Sequence, residues 1–398
     1  RARRPTTAPD DPPMTPGARL AAAAGVLDRM VAGEAAERAL LAWSRGARYA
    51  GARDRAAVRD LVFDCWRARR SLGWLGGGED GRALVLGLLR REGDDPAALM
   101  TGGGHALPPP GPGDAPRAGE PPEGVGLDLP DWLVAPMRAS LGEGLEAAAE
   151  ALRARAPVHL RVNSAKGTRE EAVAALASDG VVARLHPEVR TALQVVDGAG
   201  KVARSSAYRA GLVELQDASS QAAVLRLPLR DGMRALDLCA GGGGKALAMG
   251  ALARLDLMAH DADPARMADL PARAARAGLA VRRLASPAEA GPCDLVLVDA
   301  PCSGSGAWRR SPDGKWRLTP DRLAALLATQ ARLLDEAAAL VAPGGALAFA
   351  TCSVLREEGE ARVGAWLAAN PAWREADRLR LRPGPLGDGF FQAVLRRA

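Results

Sequence analysis

The stretch Asp294-Leu295-Val296-Leu297-Val298-Asp299-Ala300-Pro301-Cys302-Ser303-Gly304-Ser305-Gly306 decides how the chain is read. Leu295 to Val298 is a short apolar run closed by an acid, the pattern of a buried parallel strand that ends at a site. The proline, serines and glycines behind it make a loop whose backbone can pass close to a ligand. Asp299 and Cys302 thus stand three residues apart beyond the carboxyl end of a strand, where open α/β sheets bind their ligands.

Upstream, the same strand–turn–helix alternation begins at Met233. Residues 234–239 read as a strand, 240–245 as a glycine-rich turn and 246–253 as a helix. A second strand over 257–261 precedes a helix over 264–277, and a third strand covers 281–284. Downstream of the fourth strand, a long helix over 323–341 is stopped by Pro343-Gly344-Gly345. A fifth strand over 346–350 then runs into Thr351-Cys352-Ser353. This alternation predicts a doubly wound parallel sheet. A glycine-rich turn after the first strand, with Asp261 placed 24 residues after Asp237, suits a nucleoside cofactor. The glycines admit close backbone amides, and the acid takes the ribose hydroxyls. NAD and S-adenosylmethionine both fit. The turn lacks the G-x-G-x-x-G spacing, and Ala246 follows Lys245 where a phosphate-binding loop needs Ser or Thr.

The first 16 residues are Pro-rich and charged, with no apolar core of a signal peptide, and are expected to be a disordered tail. Residues 17–100 carry helical periodicity, with Val58, Leu61, Val62, Cys65 and Trp66 on one face, and predict an all-α bundle in which Cys65 is a core residue. Residues 101–126, dense in Gly and Pro, read as a linker or long surface loop. Residues 127–210 read as a small α+β subdomain: a strand over 156–163, a helix over 169–178 with Thr168 and Glu171 as its capping box, and short strands near 181–185 and 193–195. Arg161, Lys166 and Arg169 on it suit an RNA-binding platform, and His159 is expected at or near the surface. The strand over 212–216 and the Asp217-capped helix after it open the α/β domain, residues 211–398.

The 398 residues allow two or three domains. A net charge of +6 permits an anionic partner such as nucleic acid. The five cysteines, at 65, 239, 293, 302 and 352, form no CxxC pair or Cys/His cluster, which speaks against a metal site or a disulfide framework and for a reducing cytoplasm. No apolar run is long enough to cross a membrane. A monomer is the default expectation.

Cys302 follows the fourth strand and Cys352 the fifth, so both thiols face the same crevice if these strands share one sheet. A loop beside Lys245 and Arg309 can lower a thiol pKa. Two thiols and an acid, Asp299, are what alkylation of a pyrimidine at C5 uses. A thiolate adds at C6 while the acid hydrogen-bonds the N3/N4 edge, C5 becomes enamine-like, and a base then removes the C5 proton so that the thiol leaves.

These residues carry a resemblance. Asp237-Leu-Cys-Ala-Gly-Gly-Gly-Gly-Lys245, Asp299-Ala-Pro-Cys-Ser-Gly-Ser-Gly306, the Arg310-x-Pro-Asp-x-Lys-Trp316 run, Ala350-Thr-Cys-Ser353 with Glu357-Glu358, Gln216-Asp-Ala-Ser-Ser-Gln221 and Asp388-Gly-Phe-Phe-Gln-Ala393 resemble the ordered motifs of RNA cytosine-5 methyltransferases of the Sun/Fmu (RsmB-type, NOL1/NOP2/sun) family. Ala21 to Leu27 and Asp54 to Leu75 resemble a NusB-like RNA-binding domain, with Arg45, Arg48, Arg53 and Arg59 as candidate RNA contacts. The resemblance implies a Rossmann-like methyltransferase domain using S-adenosylmethionine on rRNA, with no metal. It implies Cys352 as the nucleophile, Cys302 as the residue assisting release, and Asp299 at the cytosine edge and among the cofactor-binding residues. It implies Cys239, Ala240, Gly241, Gly242, Gly243, Gly244 and Lys245 around the methionine part of the cofactor, and Asp261 on its ribose. The chain departs from the family pattern of Ala-Pro-Gly-Gly-Lys-Thr at Gly241, Gly242 and Ala246, and lacks the acid expected near Ala285. A tRNA substrate and a noncatalytic ribosome-assembly factor stay open; an NAD enzyme does not explain two strand-end thiols.

Overall fold

A computed structural model describes residues 13–397. The chain forms two units, one of residues up to Val134 with Ser311–Trp316, the other of Ala135–Arg310 with residues from Arg317 onward. Residues 1–12 of the expected tail lie outside the described residues, and helix begins at Pro16.

The first unit is helical, with Pro16–Val31, Ala36–Gly46, Ala52–Arg67, Arg69–Gly76 and Gly81–Glu92 as its main elements. Thr15 caps the first helix through Ala18 N, and Asp80 caps the last through Ala83 N. Leu27, Val58, Val62, Cys65, Leu72, Leu84 and Leu86 are all fully buried in one core. Burial pushes the Cys65 thiol well up, as suits a small core residue. Gly87 lets its helix lie directly on the Leu72 carbonyl, where a Cβ would collide with backbone.

The stretch 101–126, expected as a linker, belongs to this unit. Asp114 pairs with Arg82 at 2.9 Å and lends its carbonyl to Arg90 at 2.7 Å, while Arg117 N donates to Trp74 O at 3.0 Å. Its few side chains pack little core, but charge and backbone bonds strap it across two helices. Buried Asp128 then caps the Arg69–Gly76 helix from outside, accepting from Arg70 N and Ser71 N, each at 2.9 Å. Residues Ser311–Trp316 dock here too: Trp316 Nε1 donates to Trp66 O at 2.8 Å, Lys315 Nζ to Arg67 O at 2.9 Å, and Arg69 stacks 4.8 Å from the Trp66 ring and 5.6 Å from Trp316.

In the second unit, β1 (Val158–Val162), β2 (Val182–Leu185), β3 (Ala192–Asp197) and β4 (Val213–Leu215) form an antiparallel sheet in the order β2-β3-β1-β4. The helix Arg169–Ser178 packs on it, with the Thr168/Glu171 capping box as expected. The boundary expected at residue 210 falls one strand early, because β4 pairs with β1. Arg161 is buried rather than displayed, and Lys166 and Arg169 spend their charges on backbone carbonyls, so the three do not form an open platform. His159 is buried as well, bonded to Asp217 at 3.0 Å and edge-on to His186 at 5.4 Å.

The large sheet contains β5 (Arg234–Asp237), β6 (Asp256–Ala259), β7 (Arg282–Arg283), β8 (Cys293–Asp299), β9 (Val341–Thr351), β10 (Trp373–Leu381) and β11 (Phe390–Arg397), in the order β10-β11-β9-β8-β5-β6-β7. β5 to β9 run parallel as predicted. β11 runs against both neighbours, so the sheet is mixed, not wholly parallel. The chain leaves β10, returns through residues 382–389 and slots β11 back beside β9. The break expected at Pro343-Gly344-Gly345 is an irregularity within β9, where the register with β8 shifts and Gly344 has φ +75°. The single helix predicted over 264–277 is split into a 3-10 turn, Pro264–Met267, and a helix, Leu270–Ala277. Leu236, Val296, Val298, Leu347 and Phe349 fill the core beneath the site. Among the described residues no helix is long and apolar enough to cross a membrane.

Candidate active site

The site lies at the carboxyl ends of β5, β8 and β9. The register sets Asp299 beside Ala350 and Asp237 beside Leu297, so the residues after three strands converge. The Sγ atoms of Cys302 and Cys352 are 3.5 Å apart. Lys245, in the first turn of the helix Gly244–Leu252, reaches back to Asp299 at 2.6 Å. Its ammonium lies 5.2 Å from the Phe390 ring. Burial works against the Lys245 charge, but Asp299 and Asp237 outweigh it and raise the pKa.

Asp237 is 1% exposed, and its carboxylate has no side-chain hydrogen-bond partner, only the backbone amide of Ala246 beside it. Burial, then Asp299, push it up to about 7 against the pull of Lys245. A buried acid without a side-chain partner, beside a turn of four glycines, fits a cofactor that carries positive charge. Asp261 accepts from Gly241 N at 2.9 Å and Asp263 N at 3.0 Å, and pairs with Arg266 at 3.0 Å. The turn and the second-strand acid are thus one bonded unit. Cys239 is half-buried, and burial with the surrounding acids pushes it up to about 12.

The two thiol loops are joined by polar contacts. Glu358, fully buried, accepts from Ser303 N at 2.8 Å, from Ser303 Oγ, and from Gln330 Nε2 at 3.1 Å. Gln330 also donates to Pro301 O at 3.0 Å. Cys302 is therefore held by bonds to the residues on either side of it. Ser305 Oγ meets Ser353 Oγ at 2.8 Å, and Gly306 N donates to Cys352 O at 3.0 Å. The hydrogen bond to Cys352, then burial, push the Cys302 thiol well above its ordinary range. Arg309, expected beside the thiols, instead pairs with Asp388 at 2.6 Å. Cys293 lies buried in the core, its thiol raised by burial.

Of the residues expected in one site, Cys239 to Lys245, Asp261, Asp299, Cys302 and Cys352, direct contacts join Cys302 to Cys352, Lys245 to Asp299, and Asp261 to Gly241 of the turn. Sequence reasoning assigned no place in the site to Gln330, Arg161, Arg273 or Phe390, and quoted Glu358 without a role. Gln330 sits mid-helix and Arg161 mid-strand in other elements, so no local motif marks them.

A sheet of this order with one reversed strand, a glycine turn after β5 and an acid after β6 define a Rossmann-like methyltransferase. Residues 224–395 match the family model described as 16S rRNA methyltransferase RsmB/F, and residues 129–202 match the ferredoxin-like domain of RsmF/B-like methyltransferases. The chain is 34% identical over 308 residues to ribosomal RNA small subunit methyltransferase B of Xanthomonas campestris, covering 71% of this chain and 70% of that one. It is 32% identical over 281 residues to the same-named protein of Vibrio cholerae, covering 67% and 64%. The chain belongs to the RsmB/F methyltransferase family. It spans about two thirds of the length of these curated relatives. Among solved structures, PH0851 superposes with TM-score 0.75 at 23% identity over 97% of this chain and all of its own. A methyltransferase homologue from Pyrococcus horikoshii gives 0.60 at 23% over 69% and 97%. These two share its fold.

Proposed function

We propose that the chain methylates C5 of a cytosine in small-subunit rRNA through a covalent cysteine–C6 adduct. The observation that carries this reading is the pair of thiols 3.5 Å apart, one beyond each of two adjacent strands, beside the Asp299–Lys245 pair. S-adenosylmethionine supplies an electrophilic methyl group; Cys239 to Lys245, Asp237 and Asp261 are the residues that would hold it.

The Cys352 thiolate adds to C6, and the C5–C6 π pair moves to C5. Asp299 hydrogen-bonds the N3/N4 edge, and Lys245, 2.6 Å away, holds that carboxylate in place. After C5 is methylated its proton must go, the double bond re-forms, and the S–C6 bond breaks. Cys302 is suited to that second half. Its thiol is held protonated chiefly by Cys352. Once Cys352 has become a thioether that cause is gone while burial remains, so Cys302 ionises more readily, its proton passing to solvent, and its thiolate then takes the C5 proton as Cys352 leaves.

The helical unit carries Arg45, Arg48, Arg53 and Arg59 exposed, charges that suit phosphate contacts of a NusB-like module. The test is to incubate the protein with radiolabelled S-adenosylmethionine and total RNA from a strain lacking it. Label recovered as 5-methylcytosine in small-subunit rRNA supports the reading. Label in tRNA corrects the substrate. Absence of both label and cofactor binding turns the reading toward a noncatalytic assembly factor.

A further inference from the structure

The cofactor turn is held from behind by two arginines of other elements. Arg273, in the helix Leu270–Ala277, donates Nη1 to Gly242 O, while its Nε lies 3.3 Å from Glu214 Oε2. Glu214, on β4, also takes Arg276 Nη2 at 2.7 Å, so its carboxylate orients the Arg273 guanidinium. Arg161, on β1, donates Nη1 to Gly244 O at 2.7 Å and to Gln216 Oε1 at 2.6 Å. A planar trans peptide points the next amide away from the carbonyl. Fixing the Gly242 and Gly244 carbonyls therefore fixes the amides that open the helix Gly244–Leu252.

Four consecutive glycines need such support. Gly241 and Gly243 have φ of +49° and +78°, a region other residues rarely adopt. Gly242 is different: its φ is not left-handed, so backbone freedom does not explain it. A Cβ there would lie 2.7 Å from Arg273 Nη1, tighter than real contacts allow. The glycine leaves room for the guanidinium, and the guanidinium replaces the stiffness that a side chain at 242 would give the turn.

We infer that Arg273 is a positioning residue of the cofactor turn and that residue 242 is glycine in order to admit it. The inference rests on the reading of this turn as the S-adenosylmethionine site.

The test measures S-adenosylmethionine binding to the full chain by titration calorimetry, with the melting temperature of the ligand-free protein alongside. Arg273→Ala removes one charge-assisted hydrogen bond and weakens binding about tenfold. Gly242→Ala displaces the guanidinium and weakens binding by a similar factor. The double variant also loses about tenfold, not about a hundredfold, because both substitutions remove the same contact. Arg273→Lys keeps a donor for the Gly242 carbonyl and falls between Arg273→Ala and the parent. Arg273→Ala also lowers the ligand-free melting temperature, because Glu214 then keeps only Arg276, so affinities are compared well below the lowest melting point. Arg273→Ala with parental affinity, or fully additive losses in the double variant, overturns the inference. A parent chain that does not bind S-adenosylmethionine overturns the cofactor reading itself, a distinct result.

Discussion

Replacing Lys245 with Met keeps the apolar stem and removes the one ammonium between Asp237 and Asp299. Lys245 is 2.6 Å from Asp299 with its side chain 10% exposed. Breaking such a pair from one side costs about 3–5 kcal/mol. The loss depends on pH. Asp237 titrates near 7 in the folded protein and near 3.9 when unfolded. A carboxyl with a raised folded pKa removes stability as pH rises between those values, and the full loss is present above the folded one. Without Lys245 the carboxyl holds its proton to still higher pH. The gap between variant and parent therefore opens as pH rises through about 7 and narrows below it. For a unit of this size, about 4 kcal/mol corresponds to roughly 10 °C in melting temperature. Thermal melts followed by calorimetry at about pH 5.5 and pH 8 read it directly. Lys245→Met should melt roughly 10 °C low at the higher pH and clearly less than that at the lower. An equal deficit at both values would refute the account, because the Asp237 charge would then not be what Lys245 offsets.

Cys302→Ala should accumulate a covalent protein–RNA adduct, visible as a shifted band on denaturing gels, while Cys352→Ala gives neither adduct nor methylation; normal turnover by Cys302→Ala would remove its assigned role. Glu358→Ala strands the Ser303 and Gln330 donors and should destabilise by about 2–4 kcal/mol. It should also slow adduct decay in single-turnover experiments, with Glu358→Gln between it and the parent. Asp217 is buried, which by itself raises a carboxyl, yet His159 and Arg310 hold it well below the usual carboxylate range. Its stabilisation is full above about pH 4 and is lost as pH falls further. Asp217→Asn should therefore melt lower than the parent at neutral pH and show a flatter acid limb, and parallel acid limbs would argue against that assignment.

The alternation from residue 234 onward was legible because each parallel strand is a short apolar run and each turn is marked by Gly or Pro. The same local chemistry exposed the two thiols, the glycine turn and Asp261, since each follows a strand whose end can be read from a few residues. Capping was legible for the same reason: Thr168 and Glu171 are three residues apart and bond each other. Reversal of β11 was not, because strand direction is set by which neighbour it pairs with, and that is a long-range choice. Nor was the fate of Arg161. A strand arginine reads as exposed until another element, here the glycine turn, brings a carbonyl to it. Residues 101–126 looked like a linker because Gly and Pro build no core, yet Arg82 and Arg90 bind them to the bundle. What the sequence determined by itself was whatever depends on neighbours a few residues away: the strands, turns, caps and chemically active side chains. Tertiary structure alone decided which distant groups satisfy each buried charge and carbonyl, because those partners are separated by up to a hundred residues or more and meet only when the chain has folded.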